Sequence, residues 1–242
     1  MIPARTLLQN IDAALFDLDG VLTPTAEAHQ RAWTKLFDAY LAQHSPDQPY
    51  TDADYFTYID GKPRYDGVRA LLASRGLSLP YGEPTDDPGA DTICGLGNRK
   101  NQAFAEVLAS EGVQAYPGSV ALLDDLADLG IRVAVVSSSA NAPEVLRAAG
   151  LIDRFELVVD GVIASVHGLP GKPAPDTYVF AAERLGVPPQ RAVVVEDAVS
   201  GVKAGKAGGF GLVIGVDRGA GPDVLLAAGA DLVVSDLAEL VE

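Results

Sequence analysis

Short apolar runs alternate with helical patterns through the second half of the chain. The runs are rich in valine and show no regular polar alternation, which is typical of strands that are buried on both faces of a sheet. In chain order the runs are IRVAVVSS, FELVVD, RAVVVED, FGLVIGV and ADLVVS. Three helical patterns lie between the first four runs: APEVLRAAG, PDTYVFAAERLG and AVSGVKAGKAGG. The alternation predicts the α/β class, with a doubly wound, mostly parallel, Rossmann-like sheet.

The N-terminal part shares one strand with this pattern and then departs from it. Residues 11–17 have the same apolar character and are predicted to form the first strand. Helices are expected over residues 25–43, over RYDGVRALLASRG up to Gly76, and over residues 98–110. The segment LPYGEPTDDPGAD is predicted to be a loop, and the following GLGNRK a helix start rather than a nucleotide-binding loop.

These patterns divide the chain into two predicted domains. Residues 1–24 and 116–242 are expected to form the α/β core, with a break at YPGSV. Residues 25–115 are expected to form a helical cap inserted after the first strand.

Composition narrows the functional classes. The chain has 242 residues, 48% of them hydrophobic, which is enough for a substantial core. Its 33 acidic and 18 basic residues give a formal net charge of −15, which argues against a nucleic-acid or anionic-membrane partner. A single cysteine, Cys94, excludes an internal disulfide and favours the cytoplasm. No signal peptide is expected in MIPARTLLQN, and no apolar run approaches the roughly 20 residues of a membrane span.

Two acidic pairs follow apolar strands. Asp17 and Asp19 are two residues apart, so their side chains are expected on one side of the first strand's end. Glu196 and Asp197 end VVVED, although acids are also favoured near a helix N-terminus. Ligands of open α/β sheets bind at the carboxyl ends of strands. Four carboxylates there would repel one another without a cation, and an all-oxygen ligand set suits Mg²⁺.

Hydroxyl and amino groups follow two other segments. Ser137 and Ser139 end the second strand of the core, where they could bind phosphate or cap the next helix. Lys172 lies in the turn GKPAPD, and by itself such a lysine is usually an exposed residue without a function.

The order of the motifs is more specific than any one of them. DLDGVLT, a strand that ends in serine, GKPAPD and VVVED together resemble the haloacid dehalogenase-like phosphotransferases, and the inserted helices resemble that family's cap. The resemblance implies that Asp17 is a nucleophile that forms an aspartyl-phosphate and that Asp19 is the general acid–base. It implies that Lys172 neutralises the phosphoryl oxygens and that Ser137 binds one of them. The implied Mg²⁺ ligands are Asp17, the backbone carbonyl of Asp19 and Asp197, with Glu196 in or near the metal shell.

Further stretches resemble the β-phosphoglucomutase subfamily, namely DLDGVLTPTAEAHQRAW, DGKPR and NRKN. This resemblance implies interconversion of β-D-glucose 1-phosphate and glucose 6-phosphate through β-glucose 1,6-bisphosphate, at a proximal and a distal phosphate site. The implied substrate-binding residues are Thr25, His29, Trp33, Arg64, Lys100, Ser138, Ser139 and Asn141.

Within this set, Arg64 with Ser139 and Asn141 would form the distal site. Thr25 and His29 lie one helical turn apart and would reach Asp19 on cap closure. The alternative is that Arg64, Lys100 and His29 are ordinary surface residues and that Trp33 belongs to the cap core.

Two positions depart from the subfamily pattern. Pro24 stands where aspartate is common, and Ala140 stands where a lysine often lies beside the distal phosphate. The main alternative function is a Mg²⁺-dependent sugar-phosphate phosphatase, in which water attacks the aspartyl-phosphate. A non-catalytic binding protein is less favoured, because all four motifs are present. A metal-free dehalogenase is less favoured, because DLDG and the second acidic pair indicate a branch of the family that uses a metal. The expected partner is a small sugar phosphate, without nucleic acid or membrane, and the chain is expected to be a monomer.

Overall fold

A computed structural model describes residues 8–241. Most of the segment MIPARTLLQN, in which no signal peptide is expected, lies outside the described residues. Within that range six parallel strands form one sheet in the order β3-β2-β1-β4-β5-β6. The strands are β1 (Ala13–Phe16), β2 (Arg132–Val136), β3 (Leu157–Val159), β4 (Ala192–Glu196), β5 (Leu212–Val216) and β6 (Leu232–Val234). The parallel sheet confirms the predicted fold class.

The strand order reverses at β1, which pairs with β2 on one side and with β4 on the other. Ala13 is level with Arg132 in β2 and with Ala192 in β4. Every residue of β1 and β4 is buried, because helices cover both faces of the sheet. The carboxyl ends of three adjacent strands therefore meet at the reversal point, where α/β sheets bind ligands.

The described residues form two compact units, one of residues 8–24 with 113–241 and one of residues 25–112. The helices of the second unit, called the cap below, are α1 (Thr25–His44), α2 (Asp52–Asp54), which runs into a π-helical turn (Tyr55–Ile59), α3 (Arg64–Ser74) and α4 (Ile93–Glu111). The helices of the first unit, the core, are α5 (Pro117–Asp128), α6 (Ala142–Ala148), α7 (Gly161–Val166), α8 (Asp176–Arg184), α9 (Val199–Ala207) and α10 (Pro222–Ala228). No helix in residues 8–241 has the length and apolar character of a membrane span.

The structure differs from the sequence prediction at several helices. Helix α4 begins at Ile93 rather than residue 98, because the Thr92 hydroxyl caps it by accepting a hydrogen bond from the Gly95 N–H at 2.9 Å. GLGNRK, residues 95–100, lies in the first two turns of this helix, so the prediction of a helix start there is correct to within two residues. The predicted break at YPGSV is where α5 begins, with Pro117 at the first helical position. Helices α2, α5, α7 and α10 were not predicted, and α2, α7 and α10 have too few residues to show a clear helical period.

Candidate active site

Asp17 extends the central strand by one residue. Its N–H donates to the Val195 carbonyl at 2.9 Å, so the backbone is held by the sheet while the side chain lies just beyond the end of β1. A tight turn follows, closed by hydrogen bonds from Leu22 N to Leu18 O at 2.9 Å and from Gly20 N to Thr23 O at 2.8 Å. The first strand, the nucleophile candidate and the turn carrying Asp19 are thus one rigid piece of backbone.

Lys172 lies between two carboxylates in the interior. Its Nζ is 2.5 Å from Asp17 Oδ1 and 2.5 Å from Glu196 Oε1, and it also donates to the Val136 carbonyl at 3.0 Å. These three acceptors match the three N–H bonds of an ammonium group. Lys172 is only 3% exposed, so it is no solvated surface lysine and its charge is directed at the carboxylates.

Glu196 is completely buried and has protein donors on both oxygens. Besides Lys172, the Tyr178 hydroxyl donates to Oε1 at 3.0 Å, and the Ala198 N–H donates to Oε2 at 2.9 Å. Helix α9 packs so closely here that a Cβ on Gly201 would lie 1.7 Å from Oε1. The glycine at this position is therefore required by the close approach of the carboxylate.

Burial and charge set the protonation of this group. Burial raises the pKa of Asp17 to about 8, and the positive charge of Lys172 acts in the opposite direction. Burial acts to lower the pKa of Lys172, but the carboxylates of Asp17 and Glu196 outweigh it and raise that pKa well above its usual value. The lysine is therefore charged across the physiological range, whereas ionised Asp17 depends on nearby positive charge.

Three acidic side chains of the core could hold a divalent cation. Asp17, Glu196 and Asp197 each place a carboxylate oxygen within 4.8 Å of the others. A Cβ on Gly20, whose φ is +86°, would lie 1.9 Å from Asp197 Oδ2, so the turn leaves room for that carboxylate. Oxygen donors alone fit a hard divalent ion. Among the described residues, Asp19 adds no carboxylate to this group.

The serines after β2 take part in local hydrogen bonds. Ser137 is buried, and its hydroxyl accepts from the Ser139 N–H at 3.0 Å. The Ser139 hydroxyl accepts from the Asn141 N–H at 3.2 Å, just before α6. The turn also packs on Gly161, where a Cβ would lie 2.8 Å from the Ser138 carbonyl oxygen. Both hydroxyls thus order the turn, but neither caps α6, whose N-cap residue is Asn141 and has no side-chain capping hydrogen bond. Ala140 adds no charge there.

Three residues that sequence reasoning missed hold the outgoing arm of the Asp19 turn. Arg218 Nε donates to the Gly20 carbonyl at 2.8 Å, the Ser119 hydroxyl to the Val21 carbonyl at 2.7 Å, and the Tyr116 N–H to the Leu22 carbonyl at 2.9 Å. Three consecutive carbonyls are thereby fixed by distant parts of the core. No local sequence signal marks these residues.

Two of the predicted cap residues, His29 and Trp33, lie beside Lys100. This lysine is 3% exposed, its Nζ contacts His29 Nδ1, and it lies 4.7 Å from the ring centre of Phe104 and 5.1 Å from that of Trp33. The His29 ring stacks on Phe104 at 3.8 Å. Trp33 is buried and stacks on Phe37 at 5.5 Å, so its side chain is part of the cap core. Neither Lys100 nor His29 is a solvated surface residue.

The chain segment that leads into the cap contains Pro24 and Thr25. Pro24 is exposed and directly precedes α1, whose first residue is the buried Thr25. At this position, just before the first helical turn, the missing N–H of proline removes no helical hydrogen bond. The structure therefore tolerates Pro24 but gives no reason for proline in place of aspartate.

Residues 11–209 match the profile of haloacid dehalogenase-like hydrolases. The chain belongs to this family. It is 49% identical to the β-phosphoglucomutase of Mycobacterium tuberculosis, over 97% of this chain and 93% of the relative. Family membership and this similarity identify an enzyme, a phosphotransferase. The family generally uses a divalent metal ion, which the acidic group fits.

Two solved structures of the family resemble the whole chain. The β-phosphoglucomutase of Clostridium difficile superposes with a TM-score of 0.76 at 26% identity, covering 95% of this chain and 93% of the other. CbbY of Rhodobacter sphaeroides, in complex with xylulose-(1,5)bisphosphate, superposes with a TM-score of 0.74 at 27% identity, covering 95% and 96%.

Proposed function

We propose that the protein is a Mg²⁺-dependent β-phosphoglucomutase, which interconverts β-D-glucose 1-phosphate and glucose 6-phosphate through β-glucose 1,6-bisphosphate. The observation that carries this proposal is the 49% identity to a mycobacterial β-phosphoglucomutase along nearly the full length of both chains. The geometry around Lys172 supports the chemistry that such an enzyme needs.

The charges at Asp17 match phosphoryl transfer. A carboxylate that attacks a phosphate dianion meets like charge, and at ~4 Å with an effective dielectric constant of about 20 each pair of unit charges costs roughly 4 kcal/mol. That corresponds to about a thousandfold in rate. Lys172, at 2.5 Å from Asp17 Oδ1, places a positive charge where this repulsion arises. A divalent ion held by Asp17, Glu196 and Asp197, for which we propose Mg²⁺, supplies further charge neutralisation when bound.

The proposed reaction divides between the two aspartates. A carboxylate oxygen of Asp17 bonds to phosphorus while the bond from phosphorus to the sugar oxygen breaks, and Asp19 donates a proton to that oxygen. In the reverse sense, Asp19 takes a proton from a sugar hydroxyl, which attacks the aspartyl-phosphate and frees Asp17. Transfer at either end of the sugar requires that the opposite phosphate be bound, a role that we assign to Arg64 of the cap.

A second candidate is a sugar-phosphate phosphatase. The observation that favours it is Ala140, since the turn after β2 lacks a cation at the position where the subfamily often has a lysine. In that enzyme water, activated by Asp19, attacks the aspartyl-phosphate.

One assay separates the two functions. The protein is given β-glucose 1-phosphate, Mg²⁺ and a trace of β-glucose 1,6-bisphosphate, and glucose 6-phosphate and free phosphate are measured together. The mutase forms glucose 6-phosphate with little free phosphate, and Asp17→Asn abolishes it. Free phosphate without glucose 6-phosphate would rule out the mutase and favour the phosphatase.

A further inference from the structure

Arg64 of the cap is oriented by neutral groups. Its Nη2 donates to the Tyr65 hydroxyl at 3.0 Å and to Asn98 Oδ1 at 3.4 Å, and its guanidinium carbon lies 4.8 Å from the centre of the Tyr65 ring. No carboxylate of residues 8–241 forms an ion pair with it, although the chain has 33 acidic residues. The buried Nε has no hydrogen-bond acceptor among the described residues. Arg64 is thus held in place without being neutralised.

The orientation of Asn98 is set by a loop. Its Nδ2 donates to the carbonyl oxygens of Pro84 at 3.1 Å and Asp86 at 2.8 Å. Two carbonyl acceptors require the amide NH₂ on that side, so Oδ1 must point the other way. On that other side Oδ1 accepts hydrogen bonds from the Tyr65 hydroxyl, at 2.9 Å, and from Arg64.

The loop of residues 80–92, called the cap loop, is itself tied to helix α4. Asp86 Oδ2 accepts from the Thr92 hydroxyl at 2.6 Å, and Thr92 caps α4. Arg99 Nε, one residue after Asn98, donates to the Pro88 carbonyl at 2.7 Å. The Cys94 N–H also donates to the Tyr81 carbonyl at 3.0 Å, so the cap loop is bound to the helix before and after the two carbonyls that hold Asn98.

A glycine makes the close packing possible. A Cβ on Gly97 would lie 2.7 Å from Tyr65 Cδ1 and 3.3 Å from Arg64 Cγ. Glycine is unfavourable in a helix interior, yet here it lets the Arg64 and Tyr65 side chains lie flat against α4 beside Asn98. Tyr65, Asn98, the cap loop and Gly97 thus together fix one orientation of the Arg64 guanidinium.

We propose that Asn98 is the positioning residue for Arg64, through the amide held by the cap loop, and that it thereby sets the affinity for the second phosphate of the sugar phosphate. The inference rests on the proposed function, in which Arg64 binds that phosphate. Neutral partners leave the arginine its full charge for an anion, and a pre-ordered side chain loses less freedom on binding. The cap loop is then a specificity element that acts without touching the substrate.

The test is the kinetics of Asn98→Ala with β-glucose 1-phosphate, with para-nitrophenyl phosphate as a substrate that has no second anionic end. We expect KM for β-glucose 1-phosphate to rise roughly tenfold, the scale of one hydrogen bond to a charged group. We expect kcat and the hydrolysis of para-nitrophenyl phosphate to stay within about twofold, because the Asp17 site is untouched. Gln102→Ala, an exposed residue one turn further along α4, is the matched control and should change neither.

A double-mutant cycle separates positioning from folding. In an Arg64→Ala background, Asn98→Ala should raise KM no further, because there is no guanidinium left to orient. Asn98→Asp keeps the size but replaces the NH₂ group, so it should also raise KM. If Arg64→Ala raises KM and neither Asn98 variant does, or if the two effects add in full, the inference is wrong and the proposed function stands. If Arg64→Ala leaves KM unchanged, the role of Arg64 in the proposed function is wrong as well.

Discussion

Lys172→Met tests the electrostatic account of the active site. The substitution removes a charge that lies 2.5 Å from both Asp17 and Glu196, and leaves two buried carboxylates facing each other. At 2.5 Å and an effective dielectric constant of about 20, each contact is worth roughly 6–7 kcal/mol before desolvation is subtracted. Removing one partner of a buried ion pair costs about 3–5 kcal/mol. We expect the free energy of unfolding of the metal-free protein to fall by that amount.

The assay is urea denaturation in EDTA, followed by circular dichroism, at pH 6 and pH 9. Because burial raises the pKa of Asp17 to about 8, the folded state holds a proton between about pH 4 and 8 that the unfolded state has released. Without Lys172 that pKa rises further, so the variant should lose more stability at pH 9 than at pH 6. Lys203→Met, at an exposed position on α9, is the control and should stay within about 0.5 kcal/mol. A loss below about 1 kcal/mol at both pH values would refute the reasoning.

Three further predictions concern packing and pH. Gly201→Ala should lower the free energy of unfolding by about 1–3 kcal/mol, because its Cβ would lie 1.7 Å from Glu196 Oε1. Gly67→Ala, whose Cβ would meet nothing closer than 3.6 Å, should raise it by about 0.5–1 kcal/mol; urea titrations compare the two signs. Burial acts to raise the pKa of Asp54, but hydrogen bonds from Arg75 and Thr51 hold that pKa below its usual value. Ionised Asp54 therefore adds to the free energy of unfolding above about pH 4, and this stabilisation is lost as the pH falls further. In thermal melts followed by fluorescence between pH 5 and pH 2, the melting temperature of Asp54→Asn should therefore depend less on pH than that of the unchanged protein. Parallel plots of melting temperature against pH for the two proteins would contradict this. Ser119→Ala leaves the buried Val21 carbonyl without its hydroxyl donor, and should cost about 1–3 kcal/mol in thermal melts.

The sheet and the ends of its central strands could be predicted from local patterns. Residues 13–16 and 192–195 are apolar throughout, and an acidic residue follows each run directly, Asp17 in one case and Glu196 in the other. Burial on both faces of the sheet accounts for the apolar part, and a ligand site at the strand ends accounts for the two acidic pairs together. The structure brings Asp17, Glu196 and Asp197 together as this reasoning expects. Which of them binds metal, and the roles given to Asp19 and the serines, stay predictions.

The residues that support the site could not be predicted, because their contacts join distant parts of the chain. Ser119 and Val21 are 98 positions apart, and Arg218 and Gly20 are 198 apart. A serine near a helix start or an arginine after a strand is compatible with many roles. The helix start at Ile93 was missed for a related reason, because the glycines of α4 disfavour a helix locally while packing requires them.

The free-energy cost of burying charges explains why the acidic site residues could be predicted from the sequence, whereas the residues that support them could not. Lys172, Asp17 and Glu196 lose most of their hydration, and apolar residues of similar volume would stabilise the fold at least as well. Stability alone does not account for such a group, so the acids stand out against the apolar strands that carry them. The Tyr178 hydroxyl and Gly201 have no such cost, since each only adds a hydrogen bond or leaves room beside Glu196. Candidate functional residues can therefore be recognised in a sequence where they lower stability. The residues that accommodate them, such as Tyr178 and Gly201, can be recognised only in the structure.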